Sequence, residues 1–132
     1  MNGYAIDTNI VSFLLRGNRT LQDRISGELV DIVIPPIVYY EIRRWLVENK
    51  AAVKLSAFEE LCGQLNVDSL DIETLDKAAD IYAVLKKSGN LIGDADILIA
   101  ASCIAHGYTL VTNNVRDFAR IADLQIEDWT KE

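Results

Sequence analysis

Short unbroken apolar runs alternate along this chain with longer stretches in which apolar residues recur every three or four positions. The first pattern suits strands buried on both faces, and the second suits helices with one face on a core. Residues 3–6 read as a strand. Residues 9–16 follow as a short helix with Ile10, Phe13 and Leu14 on one face, started by Asp7 or Thr8 as cap. Residues 19–26 form a second helix closing near Gly27, and 29–34 a strand interrupted once by Asp31. Pro35-Pro36 ends that strand, with Pro36 well placed to open a helix. Helices over 37–48 and 51–64 come next, then a strand over 67–70. Residues 73–87 are strongly amphipathic, with Leu75, Ala78, Ala79, Tyr82 and Leu85 at helical spacing, and Ser88-Gly89-Asn90 stops them. An apolar, alanine-rich helix over 94–105 ends at His106-Gly107. A strand over 108–111, a helical turn over 115–119 and an edge strand over 124–127 complete the chain.

Strands too short and apolar to be half-solvated, alternating with helices, imply an α/β sandwich with a mainly parallel sheet. Ligands of such sheets sit outside the carboxyl ends of the strands, where the strand order reverses. Asp7 follows the first strand and Thr112-Asn113-Asn114 follow the strand over 108–111, so both are expected at that edge.

At 132 residues, half hydrophobic and a quarter charged, the chain is expected to form one domain over 1–132. A chain of this length buries roughly 68% of its unfolded surface, enough for a core without staples. Cys62 and Cys103 fall in helical patterns and read as core thiols, which suits a reducing cytosol. No Lys or Arg precedes Asp7, and no apolar run reaches the length of a membrane span. A cytoplasmic protein with no membrane association is the expectation. A net charge of −7 argues against nonspecific clinging to nucleic acid and favours a basic protein partner.

The chemistry the chain offers is acidic. Asp7 either caps the helix that follows it or, with Thr8 as cap, faces a site. Glu41 shares a helix face with Ile37 and Trp45, and a carboxylate on an apolar stripe is costly unless it is paired or near a cation. Its ordinary alternatives are water, Arg44 or Arg24. Asp94 and Asp96 open a helix, where negative charge is favoured. Asp96 lines up with Ile99, Ala100 and Cys103 and so points inward, which makes Asp94 the better cap and Asp96 the better ligand. Asp117 stands in a turn before Phe118. Carboxylates gathered at element termini repel one another unless divalent cations neutralise them. All-oxygen ligands suit Mg2+ or Mn2+, and the chemistry that follows is phosphodiester hydrolysis. Competing chemistries are poorly served: there is no glycine-rich phosphate loop and no nucleophile elbow. A lone His106 excludes a two-histidine zinc site and reads as a cap residue facing the helix dipole.

These residues resemble a known family. Tyr4-Ala5-Ile6-Asp7-Thr8-Asn9, Glu41 in an early helix, Ile92-Gly93-Asp94-Ala95-Asp96-Ile97-Leu98-Ile99-Ala100-Ala101, and Val111-Thr112-Asn113-Asn114-Val115-Arg116-Asp117-Phe118 resemble, in order, the motifs of PIN-domain ribonucleases of the VapC toxin type. The tail Ile126-Glu127-Asp128-Trp129 is similar to the end of several such toxins. The resemblance implies a PIN-domain-like three-layer sandwich, its mainly parallel central sheet flanked by helices. It also implies an Mg2+- or Mn2+-dependent endoribonuclease acting on RNA. Asp7 and Asp96 would be the principal metal ligands, Glu41 and Asp117 would act directly or through water, and Thr112 and Asn9 would support them by hydrogen bonds. Asn114 stands where other PIN proteins often carry an acid, leaving the fourth acidic role to Asp117. Arg44 and Arg116, beside site acids, are the candidates for phosphate contacts. Tyr39-Tyr40 would stack a base or pack in the core.

The resemblance further implies a cognate VapB-like antitoxin and a homodimer. An amphipathic antitoxin segment would find a seat among Phe13, Leu14, Trp45, Leu46, Phe58 and Leu61, unless these form the core. The alternatives are a PIN-domain nuclease outside toxin–antitoxin systems, for RNA processing or a DNA substrate, and a noncatalytic α/β binding module whose acids merely cap helices.

Overall fold

The computed structural model describes residues 3–27 and 31–131. Over these residues the chain runs β1 (Tyr4–Ile6), α1 (Thr8–Leu15), α2 (Arg19–Ser26), β2 (Ile32–Val33), α3 (Pro36–Glu48), α4 (Ala52–Leu65), α5 (Ile72–Ser88), α6 (Asp94–His106), β3 (Thr109–Val111), α7 (Val115–Phe118) and β4 (Ile126–Glu127). The four strands lie in the order β2-β1-β3-β4, and every pairing is parallel. Helical connections between successive strands leave each one pointing the same way, as parallel pairing requires. No described helix is long and apolar enough to cross a membrane.

The centre of the sheet positions everything else. β1 and β3 are neighbours, with Ile6 opposite Val111, and Ala5, Ile6, Leu110 and Val111 are buried. From β1 the chain moves to β2 on one side, whereas β3 lies on the other, so the strand order reverses between β1 and β3. The residues immediately beyond the paired ends are Asp7 and Thr112, and the backbone N–H of Asp7 still donates to Val111 O at 3.0 Å. α6 carries buried residues almost all round (Ile97, Ile99, Ala100, Ala101, Ser102, Cys103), as a helix enclosed by other elements must. It packs on α5, α3 and β3.

Three sequence expectations change. In the strand expected over 29–34, residues 29 and 30 lie outside the described residues, and β2 covers only Ile32–Val33. The strand expected over 67–70 contracts to one bridge, Val67 to Ile34, because Val67 and Leu70 stay 40% and 47% exposed and Asp71 already caps α5. On α5 the inward stripe is Thr74, Ala78, Ile81 and Leu85, not the row through Leu75, Ala79 and Tyr82. Both rows satisfy the helical period, and the alanine-rich surface of α6 selects the one that packs.

His106 does more than face the dipole at the end of α6. Its Nδ1 lies 2.6 Å from Asp68 Oδ2 and its Nε2 lies 2.8 Å from Asp71 Oδ2. A neutral imidazole has only one N–H, so two carboxylate partners favour the imidazolium. Burial pulls the His106 pKa down, but the two carboxylates outweigh it and the net shift is upward. Asp71 is held down at about 2, first by the hydroxyl and backbone N–H of Thr74 and then by His106. The arrangement ties the end of α6 to the start of α5.

Two measurements test this description. A raised histidine pKa contributes stability that is full below the unfolded value of 6.5 and is lost as pH rises through the folded value. Asp71 contributes above 3.8 and loses its contribution as pH falls toward about 2. His106→Gln should therefore lower Tm most between those limits, at about pH 5 to 6, and least above pH 8; a pH-independent gap would contradict the imidazolium. At Gly3, an added Cβ would lie 2.2 Å from the backbone oxygen of Asp31, which has no side-chain freedom to yield. Gly3→Ala should cost about 1–3 kcal/mol in chemical denaturation. Gly63→Ala, inside α4 with nothing near its Cβ position, should be neutral or stabilising.

Candidate active site

Asp7 is 4% exposed and has a partner for each carboxylate oxygen. Its Oδ1 accepts from the backbone N–H of Thr8 at 2.7 Å, which makes Asp7 the cap of α1. Its Oδ2 accepts from the Thr112 hydroxyl at 2.6 Å, across the gap between β1 and β3. That hydroxyl is oriented in turn by the backbone N–H of Asn114, 2.9 Å away. Capping and facing the site, posed as alternatives by the sequence, are one geometry. Burial nevertheless raises the Asp7 pKa; the bonds from Thr112 and Thr8 offset part of this, and the charge of Glu41 adds to it.

Glu41 reaches this edge from α3. Its Oε1 accepts from the Thr8 hydroxyl at 2.8 Å. The cations considered as its partners are engaged elsewhere: Arg24 lies 3.7 Å from Glu127 and 4.5 Å over the Trp129 ring, and Arg44 stacks at 5.1 Å on Tyr40. Thr8 is thus a bridge between Asp7 and Glu41, a role the sequence reading missed. The adjacency of Asp and Thr at the end of a buried strand was its only signal.

Asp96, half-buried in the first turn of α6, completes the group electrostatically. Its pKa is pushed up to about 6, first by burial and then by the charges of Asp7, Glu41 and Asp117. Asp94, two residues earlier, is exposed, and Gly93 holds the cap position with no side-chain bond, so Asp94 is not the cap expected of it. Asp117 accepts from Asn114 Nδ2 at 3.3 Å and lies 3.6 Å from Arg120. Asn9 bonds no carboxylate; its Nδ2 donates to Asn113 Oδ1 at 3.2 Å and ties α1 to the segment after β3. Arg116 is exposed on α7. Of the apolar residues named as a peptide seat, Leu14, Leu46 and Phe58 belong to the core, whereas Trp45 is half-exposed. Tyr39 packs on Phe58, and Tyr40 is exposed.

The donor set fits a hard divalent cation. Four carboxylates from α1's cap, α3, α6 and α7 face one edge of the sheet, and among the described residues only Asp117 has an ion-pair partner. Asp7, Glu41 and Asp96 are left to repel one another in a partly dry setting. A tighter constellation exists: Asp71, Glu73 and His106 bring ligand atoms within 4.8 Å of one another, the only such group among the described residues. It stands at the opposite end of α6, about 18 Å from Asp94 at the helical rise of 1.5 Å per residue. Both imidazole nitrogens there already face carboxylates, so neither is free to hold a metal and the imidazolium offsets part of that group's charge. Asp7, Glu41 and Asp96 have no cation beside them among the described residues.

Known proteins are similar to this chain over nearly its whole length. Ribonuclease VapC1 of Haemophilus influenzae (strain R2866) is 32% identical over 132 residues, covering 97% of this chain and 98% of its own length. Ribonuclease VapC1 of Rickettsia felis is 37% identical over 129 residues, 94% of each chain. Among solved structures, VapBC-1 from nontypeable Haemophilus influenzae superposes with a TM-score of 0.86 at 31% identity, covering 97% of this chain and 98% of that one. The DNA-bound VapBC from Salmonella typhimurium gives 0.90 at 27% identity, with 98% and 99% covered. The PIN domain family matches residues 4–124, most of the chain, and this chain belongs to the PIN domain family.

Proposed function

We propose that this protein is a metal-dependent endoribonuclease, the toxin of a VapBC-type toxin–antitoxin pair. The observation that carries the reading is the electrostatic pressure on Asp96: burial and three nearby acids hold its pKa at about 6, and among the described residues no cation is paired to Asp7, Glu41 or Asp96. Relatives named Ribonuclease VapC1, matched over nearly their whole length, support an RNA substrate. Superposition on toxins held in VapBC complexes supports an antitoxin partner.

In this reading Asp7 and Asp96 hold Mg2+ or Mn2+, and Glu41 and Asp117 contribute directly or through water. A divalent cation bound there supplies Lewis-acid polarisation of the phosphodiester and lowers the pKa of a water beside it. The chain's own residues do the rest. Asp7 is fixed by Thr8 and Thr112, so its free lone pairs point to one place without the entropy of an unrestrained side chain. Glu41, anchored by Thr8, holds the attacking water and takes up its proton. Asn114 orients both Thr112 and Asp117, which accounts for an amide in place of an acid at that position. Arg116, beside Asp117, meets a phosphate of the substrate.

The experiment is cleavage of single-stranded RNA by purified protein with Mn2+ or Mg2+. Asp7→Asn and Asp96→Asn should abolish cutting while the protein stays folded. Thr112→Val removes a supporting bond only and should cost about 10–100-fold. Cutting retained in both aspartate variants would refute the site, and cutting of DNA but not RNA would refute the substrate. At fixed metal concentration, activity should also fall below about pH 6, where the cation must displace a proton from Asp96.

A further inference from the structure

Beside the acidic edge lies a cleft of about 330 Å3 between α1, α3 and the start of α4. Arg16, Arg44 and Lys54 line it together with Thr8, Ser12 and Glu41, over an apolar floor of Leu15, Ile42, Trp45 and Leu46. Its charge is opposite to that of the molecule around it. The chain carries a net charge of −7, yet three cations from three helical segments converge here. Among the described residues only Arg24, Arg43 and Arg120 of the thirteen Lys and Arg lie within 4.0 Å of a carboxylate, so what distinguishes the cleft is that three cations line it together. Arg16, Arg44 and Lys54 have no carboxylate within 4.0 Å among the described residues. The guanidinium carbon of Arg44 lies 5.1 Å from the centroid of the exposed Tyr40 ring, a cation–π contact that uses no N–H group of the guanidinium on a carboxylate. Trp45, next to it, is 52% exposed, an unusual position for the largest aromatic surface among the side chains.

We propose that this cleft is the track for the single-stranded RNA flanking the bond that is cut, with Arg16, Arg44 and Lys54 on successive phosphates and Trp45 stacking a base. The assignment rests on the ribonuclease reading above and names where its substrate lies. Two features of the cleft select such a ligand. An RNA strand approaching a net-negative protein is drawn to a place where several cations line one cleft, and this cleft also contains Glu41. A ligand recognised by phosphate charge alone needs no exposed indole, whereas a single strand offers base faces to stack upon it. Stacking tolerates any base, so the track contributes affinity and direction more than sequence choice.

The test is fluorescence anisotropy with a labelled single-stranded RNA oligonucleotide and the Asp96→Asn protein, which binds without cutting. Neutralising three phosphate contacts to a single strand releases about two counterions. The triple variant Arg16→Ala, Arg44→Ala, Lys54→Ala should therefore lower the slope of log affinity against log salt by about 2. Trp45→Ala should weaken binding about tenfold at every salt concentration. Lys86→Ala with Lys87→Ala, at the far end of α5, should leave both quantities unchanged. In the cutting-competent protein the cleft variants should raise KM and spare kcat. Superimposable titrations of the parent and the triple variant would overturn the assignment and leave the cleft to a protein ligand. Failure of the ribonuclease reading looks different: the unsubstituted protein then cuts no RNA at all.

Discussion

Repulsion among carboxylates at one sheet edge is the constraint on which this molecule turns. Asp7, Glu41 and Asp96 come from the beginning, the first third and the last third of the chain, and folding brings them near enough for their charges to act on one another. Water is partly excluded, so their mutual repulsion is weakly screened. The fold answers with fixed dipoles rather than opposite charges: the Thr112 hydroxyl and Thr8 backbone for Asp7, the Thr8 hydroxyl for Glu41. Those dipoles offset part of the cost of burial and mutual repulsion at Asp7, and the pKa of both Asp7 and Asp96 still lies above the ordinary carboxylate value, chiefly through burial and then through the neighbouring acids.

The architecture produces this crowding directly. A parallel sheet sends every strand end to the same edge, and the reversal between β1 and β3 parts the helices that follow. Asp7 and Thr112 meet because each is the next residue after a paired end, Ile6 opposite Val111. α6 brings its N-terminal turn to that edge and carries its His106 end away from it. Asp96 and His106, at the two ends of α6, therefore live apart. His106 sits between two carboxylates, whereas Asp96 has no cation beside it among the described residues.

Much of this was legible in the sequence, and what was not has identifiable causes. Apolar runs bounded by turn residues located β1, β3 and β4, and the helical period located six of the helices to within a residue or two. The parallel sheet followed from strands too apolar to face water. Asp7, Glu41 and Asp96 were legible because each is a charge in a context where charge is expensive. Finer features depend on partners remote in sequence. Thr8 bridging to Glu41 spans 33 residues, and Asn9 reaches Asn113 across 104, distances no local pattern encodes. The α5 stripe was misassigned because that helix has two apolar rows and only α6 decides between them. Asp94 passed for a cap because propensity favours aspartate there, although a glycine before it serves the backbone equally well. His106 seemed an end residue because nothing nearby in sequence announces Asp68 and Asp71.

The central claim is that charge on Asp96 strains the fold until a divalent cation removes the strain. A carboxyl whose folded pKa lies near 6, above its ordinary 3.8, destabilises the folded state progressively as pH rises between those values and fully above them. The direct measurement is thermal unfolding at pH 8 of the protein and its Asp96→Asn variant, in chelator and then in Mn2+. In chelator the variant should melt at the higher temperature, and Mn2+ should raise Tm of the unsubstituted protein while leaving the variant nearly unmoved. A variant that melts lower in chelator, or gains as much from Mn2+ as the parent, would contradict the account.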